Sequence, residues 1–198
     1  MIRIILVFIF VPQFLFSQKD TIFSLDEVWK INLNNQRSVN KSGMYTLLGW
    51  SFTNIVTGTI ASTQTEGSAH YFHQMNAMWN TVNLGLSIGG LLQERKLKIE
   101  SIQDLNTRQK KLEKIFLING GLDLVYMGVG TGLLLSKNET DTKQGYGQSL
   151  LLQGGFLMLF DGTMYFLHRN NRIREYRNID FKIGFQSVGV RIFLGNSA

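Results

Sequence analysis

Two acids, Asp123 and Asp161, are the residues of this chain that most invite chemistry. They are the only ionised side chains in four long apolar segments, approximately residues 43–62, 71–92, 115–136 and 149–168, which hold no Lys or Arg. A charge is costly in hydrocarbon, and where one persists it faces a bundle interior and marks an ion path, a proton relay or a ligand. Two carboxyls held close in a low-dielectric site share a proton. The chemistry on offer is therefore a proton or cation site. The competing explanation is hydrogen-bond glue that fixes helix register, worth about 0.6–2 kcal/mol per contact.

Amides accompany the acids. His73, Asn76, Asn80, Asn83 and Ser87 recur at spacings of three and four, which puts them on one helical face. Ser51, Asn54 and Gly58 share a face of the preceding helix. Facing lipid, such stripes would be unsatisfied, so both turn inward. At about 1.5 Å per residue, Asp123 and Asp161 lie roughly 10–12 Å from one membrane face, and Asn54 and Asn83 roughly 15–17 Å from it. The expected site is thus an intramembrane polar layer of Asn54, His73, Asn76, Asn80, Asn83, Asp123 and Asp161.

Nothing else in the chain has the pattern of a reaction centre. His70 and His73 are one turn apart, a spacing that can bind a metal, but His168 falls on the opposite membrane side, so the histidines read as interfacial. There is no Ser-His-Asp ordering, phosphate-binding loop or HExxH motif, and Gly128-Val-Gly130-Thr-Gly132 does not match GxGxxG. Cys is absent, which excludes thiolate metal sites and a Cys nucleophile. No cofactor or metal is expected, and no enzymatic activity.

The elements that must position the polar layer follow from the apolar segments. Each is about 20 residues, roughly 30 Å as a helix, which matches the hydrocarbon thickness of a bilayer. The third and fourth are strongly apolar, whereas the first two carry many Ser, Thr, Asn and Gly. The fold class expected is all-α: a four-helix up-down transmembrane bundle with an N-terminal amphipathic helix and a short C-terminal β-hairpin. Residues 1–18, with Arg3 ahead of the apolar Ile4–Phe16 and Ser17 at the end, read as a signal peptide. Residues 19–42 read as an interfacial segment, with Ser24 and Glu27 as a capping box and Leu25, Val28, Trp29 and Leu33 on one face. Residues 43–168 form the membrane domain. In residues 169–198 a basic stop precedes two runs alternating with period two, Phe181 to Phe185 and Val188 to Leu194, which predict the hairpin.

The connectors carry the charge. Residues 93–114 contain seven Lys/Arg and four Asp/Glu, with Glu94/Lys98 and Asp104/Arg108 at the supportive i, i+4 spacing. They read as a solvated helical face. Ile102, Leu105, Leu112 and Phe116 make an apolar stripe, from which helix 2 is expected to continue beyond the bilayer. The net charge of +6 sits beside apolar spans and so suits a lipid surface, not nucleic acid. Asn119-Gly120-Gly121 before Gly128 is echoed by Gln153-Gly154-Gly155 before Gly162. With the Gly85/Gly89 and Gly128/Gly132 pairs, these read as sites of close backbone approach.

The stretch Tyr71-Phe72-His73-Gln74-Met75-Asn76-Ala77-Met78-Trp79-Asn80, with four Gly- and Asn-rich helices behind a signal, resembles short uncharacterised membrane proteins of Gram-negative bacteria, grouped as a domain of unknown function. The resemblance covers most of the mature chain. It implies a helical membrane protein and carries over no catalytic residue. An exported N-terminus would put residues 93–114 and the tail, with thirteen Lys/Arg between them, outside the inner membrane. The positive-inside rule wants them in the cytoplasm. The functional expectation is a non-enzymatic integral membrane protein of the bacterial envelope, in the inner rather than the outer membrane, serving as a structural or accessory component. Its partners are the lipid bilayer and either a protein bound through residues 93–114 or further copies of itself. The alternative is a small proton- or cation-coupled transporter or channel subunit that uses the Asp/Asn layer.

Overall fold

The structure, a computed structural model, describes residues 25–177, 179–184 and 187–192, with side chains over residues 29–172. The expected signal peptide lies outside the described residues. Four helices follow one another: α1 (Leu25–Ser62), α2 (Gly67–Lys96), α3 (Ile102–Leu134) and α4 (Asp141–Arg177).

Local chemistry sets most of these limits. At the start of α2, Gly67 takes φ +59°, a left-handed conformation that glycine adopts without strain. Ser101 caps α3: its hydroxyl accepts from the Asp104 backbone N–H at 3.1 Å and donates to the Asp104 carboxylate at 2.7 Å. Before α4, the Thr140 hydroxyl accepts from the Lys143 N–H at 3.3 Å. No proline interrupts residues 25–62, and α1 runs unbroken for 38 residues. The interfacial helix expected over 19–42 is therefore not a separate element where it is described, from Leu25 on. It forms the N-terminal half of α1, which buries Leu33, Gln36 and Asn40 against the bundle. Helix 2 does run past residue 92, but only to Lys96. The apolar stripe from Ile102 belongs to α3, in which Leu105 and Phe116 are buried and Ile102 is exposed.

Helix α1 packs on α2, α2 on α4 and α4 on α3, with α1 also touching α4. Although consecutive in sequence, α2 and α3 do not form a packed interface. They run antiparallel and meet through Trp79 on Tyr126, edge to face at 4.7 Å, and through the Glu94–Arg108 ion pair. Elsewhere the backbones close in at glycines. A Cβ on Gly58 would lie 2.7 Å from the His73 carbonyl oxygen. One on Gly130 or Gly147 would lie 2.8 Å from the other's carbonyl oxygen. The pairs expected to mark close approach behave otherwise: Gly85, Gly89, Gly128 and Gly132 would each place a Cβ in open space. In the weak repeat Gly154 is tight against Met127, while Gly120, Gly121, Gly128, Gly155 and Gly162 are open.

The burial pattern is inverted with respect to a water-soluble bundle. Buried side chains include Gln36, Asn40, Asn76, Asn80, Asn83, Glu94, Gln109, Glu113, Asp123, Gln153, Asp161 and His168, whereas the apolar core is small and centred on Met44, Phe116 and Met164. Large apolar residues face outward instead. All but Ile31 and Ile102 of those exposed fall between 45 and 60, 78 and 92, 115 and 135, or 152 and 167. By length and hydropathy two stretches, Ile102–Leu134 and Asp141–Arg172, are long and apolar enough to cross a membrane.

Candidate functional site

The two acids meet. Asp123 on α3 and Asp161 on α4 come close enough to interact, and Asn119 stands beside Asp161. Two carboxylates this close repel each other in a low-dielectric site, so the pair favours a cation or proton beside it. Both residues are buried, and Asp123 Oδ2 has no hydrogen-bond partner. They form part of the wall of a cavity of about 590 Å³ between α2 and α3, to which α1 and α4 also contribute. Its lining is mainly apolar, and among the described residues it contains no Lys, Arg or His. Asn83 and Asn40 line the same cavity, and the Asn40 Oδ1 atom is a second buried acceptor without a partner.

The other members of the expected layer lie elsewhere. Asn76 Oδ1 accepts from Ser149 at 3.0 Å and from Gln153 at 2.6 Å, and Gln153 Oε1 in turn accepts from Trp50 Nε1 at 3.0 Å. This second cluster ties α1, α2 and α4 together and is closed by hydrogen bonds. Asn80 donates to the Asn76 carbonyl at 2.8 Å and accepts from Asn83 at 3.3 Å, which bridges the two sets. Asn54 is buried but donates to the Trp50 carbonyl of its own helix at 2.9 Å, and is absent from the cavity lining. Half-buried His73 has its ring edge-on to Phe72, and also lies outside the cavity. The expected single layer is thus two linked clusters, because Asn76 and Asn83 are two turns apart on α2.

Charge expected to be solvated forms a third cluster. At the end of the bundle where α2 gives way to α3, Glu94 is 3% exposed and accepts from Asn40 at 2.6 Å and from Arg108. Arg108 also donates to Gln36, and Gln36 donates to Gln109 at 2.6 Å. Gln109 continues to the His168 carbonyl. Arg172 grips both oxygens of Glu113, at 2.8 and 2.9 Å, in a bidentate pair. His168 is not interfacial: it is fully buried, with its ring stacked on Phe116 at 5.5 Å. The i, i+4 pairs do not form as expected. Glu94 takes Arg108 rather than Lys98, and Asp104 turns to the Ser101 cap. A signal was present in the spacing: Leu105, Gln109, Glu113 and Phe116 share a face with the apolar stripe, so two polar residues ride on a buried stripe.

Four antiparallel helices with an apolar exterior, a polar interior and an acid pair in a cavity wall define a helical bundle built around buried polar sites. The chain belongs to a family of unknown function, DUF6992, whose sequence profile matches residues 46–162. That stretch runs from the middle of α1 to the residue after Asp161 and includes both acids. Neither the curated proteins nor the solved structures contain a match to the chain.

Proposed function

We propose that this chain is a non-enzymatic integral membrane protein of the bacterial envelope, placed in the inner membrane as a structural or accessory component of an assembly. The observation that carries this reading is the register of the exposed apolar residues. They occupy a belt of about 15 to 21 residues on each of the four helices, roughly 22–32 Å, comparable to the thickness of a hydrocarbon core. In water an apolar surface of this extent would drive association. In lipid it is the required exterior, and the buried amides and acids bond to one another inside at most of their atoms. Hydropathy favours only two helices because α1 and α2 are rich in polar residues: Asn54, Asn76, Asn80 and Asn83 turn inward, and exposed Thr46, Thr57 and Thr81 donate to carbonyls of their own helix.

Outside the belt, Arg95, Lys96, Lys98, Lys110, Lys111 and Lys114 remain exposed around the α2–α3 connection. This basic rim suits anionic headgroups or an acidic partner. Beyond α4, the backbone of Ile179–Gly184 lies antiparallel to Ser187–Ile192, with Ile179 opposite Ile192, which supports a C-terminal hairpin. Alkaline carbonate washing tests the reading: the chain stays with the membrane pellet, and its release into the wash would refute it. Reporters fused at Asp104 and after Ala198 then give the orientation.

The contact between Asp123 and Asp161 in a cavity wall favours a second reading, a proton- or cation-coupled transporter or channel subunit. A flux in proteoliposomes that depends on pH or potential and disappears in Asp123→Asn supports this reading, and no flux in the wild type rejects it.

A further inference from the structure

The cavity between α2 and α3 has the shape and chemistry of a ligand groove. Exposed Val82, Leu86 and Ile115 border it, so it opens sideways between two helices instead of into the bundle axis. Its lining on α2 extends from Trp79 to Gln93, about 20 Å at 1.5 Å per residue. Its volume falls in the range of about 300–1,000 Å³ typical of small-molecule sites. Gly85 and Gly89 give it room, since a Cβ on either would meet nothing within 4 Å.

Two features identify what the groove would hold. First, both buried atoms of the lining that lack a partner, Asp123 Oδ2 and Asn40 Oδ1, are acceptors, in residues 3% and 6% exposed. A buried acceptor without a donor costs about 1–3 kcal/mol, so the occupant brings N–H or O–H groups. Second, two acids stand together in the wall, and among the described residues no basic side chain lines the cavity to balance them. An uncompensated charge in a low-dielectric site is far costlier than a neutral acceptor. A cationic head answers both demands, and an ammonium has three donors to distribute. Bordering apolar side chains offer the rest of the molecule a hydrocarbon surface continuous with the outside of the bundle.

We propose that the α2–α3 groove binds a cationic amphiphile, an apolar chain ending in an ammonium group, with the ammonium on Asp123 and the chain along Val82, Leu86 and Ile115. The inference rests on the membrane reading, because the groove opens onto the apolar belt. It names a ligand class for a site that the structural role leaves unused. In the transport reading, the same molecule is the cargo.

The test uses the full chain in nanodiscs of zwitterionic lipid, with radiolabelled dodecylammonium, dodecanol and dodecanoate as probes. Dodecylammonium is expected to saturate a site on the protein and to bind at least about tenfold more tightly than dodecanol, a ratio of affinities that isolates the head group. Dodecanoate is expected not to bind. Asp123→Asn removes the preference for ammonium over alcohol. Gly89→Leu fills the groove and abolishes binding of both, with helix content and nanodisc insertion as in the wild type. Equal affinity for ammonium and alcohol overturns the proposal and marks the groove as a crevice for lipid acyl chains or a second copy. A preference that survives Asp123→Asn overturns it as well. Failure of the chain to enter nanodiscs defeats the membrane reading, whereas entry without head-group preference defeats this inference alone.

Discussion

The charged cluster at the connector end of the bundle and the acid pair at its middle bury similar groups in opposite arrangements. At the end, Glu94 meets Arg108 and Asn40, and Glu113 meets Arg172, so each buried carboxylate has a cation. In the middle, Asp123 has another acid for a neighbour and, among the described residues, no cation in its cavity, although Glu94 and Asp123 alike keep one oxygen without a partner. The first arrangement ties α1, α2, α3 and α4 to one another where α2 and α3 otherwise stand apart. The second brings α3 and α4 together through two acids in the wall of a groove. Burial of polar groups is thus no single signal in this fold: the partner decides whether a buried charge holds helices together or awaits something.

That contrast can be broken by substitution, and the largest effect belongs at the connector end. Glu94→Ala leaves half-buried Arg108 without its carboxylate, and breaking a buried pair costs up to roughly 3–5 kcal/mol. The unfolding midpoint in detergent should fall well below that of any single change at the acid pair. A smaller shift than for Asp123→Asn would reverse the comparison. Next comes the closed half of the bundle. Gly145 packs against the Ser68 carbonyl and the Phe72 amide, so Gly145→Ala forces two backbones apart. Overpacking of this kind costs about 1–3 kcal/mol, read as a lower midpoint with unchanged helix content.

The closed amide cluster sharpens the comparison further. Asn76→Ala removes the acceptor shared by Ser149 and Gln153 and is expected to cost about 1–2 kcal/mol, the range for hydrogen bonds between membrane helices. The smallest change is at the groove. Gly89→Ala adds a methyl where nothing stands and removes a residue that weakens helices, so it should stabilise by up to about 1 kcal/mol. A loss of stability there would mean that the groove closes around α2, contrary to the open geometry.

Much of this was legible in the residues. The four apolar segments locate the exposed belt, because a run of about 20 apolar residues is set by composition and needs no knowledge of neighbours. Asp123 and Asp161 stand out as the only acids in those runs, and the structure joins them. What was not legible depended on which helices face each other. Glu94 looked self-sufficient with Lys98 one turn on, while its cation lies 14 residues away across a helix break. Gly85 and Gly89 have the same spacing as a packing motif, yet α2 turns them to a groove, while Gly58 and Gly145 make the close approaches. Asn54 sits at the depth expected for the layer but spends its amide on its own helix. Depth along a helix can be counted from sequence, whereas rotation about the axis comes from packing.

The central claim is that lipid surrounds the exposed belt, and spin labels test it directly. The chain has no Cys, so a cysteine introduced at Val82, Leu124 or Leu159 is the sole attachment site, and Lys111 supplies a control in the basic rim. In liposomes, labels at the three apolar positions should relax with dissolved oxygen and be shielded from a water-soluble nickel complex, while the label at Lys111 shows the reverse. Nickel access at Val82, Leu124 and Leu159 equal to that at Lys111 would contradict a membrane-embedded bundle.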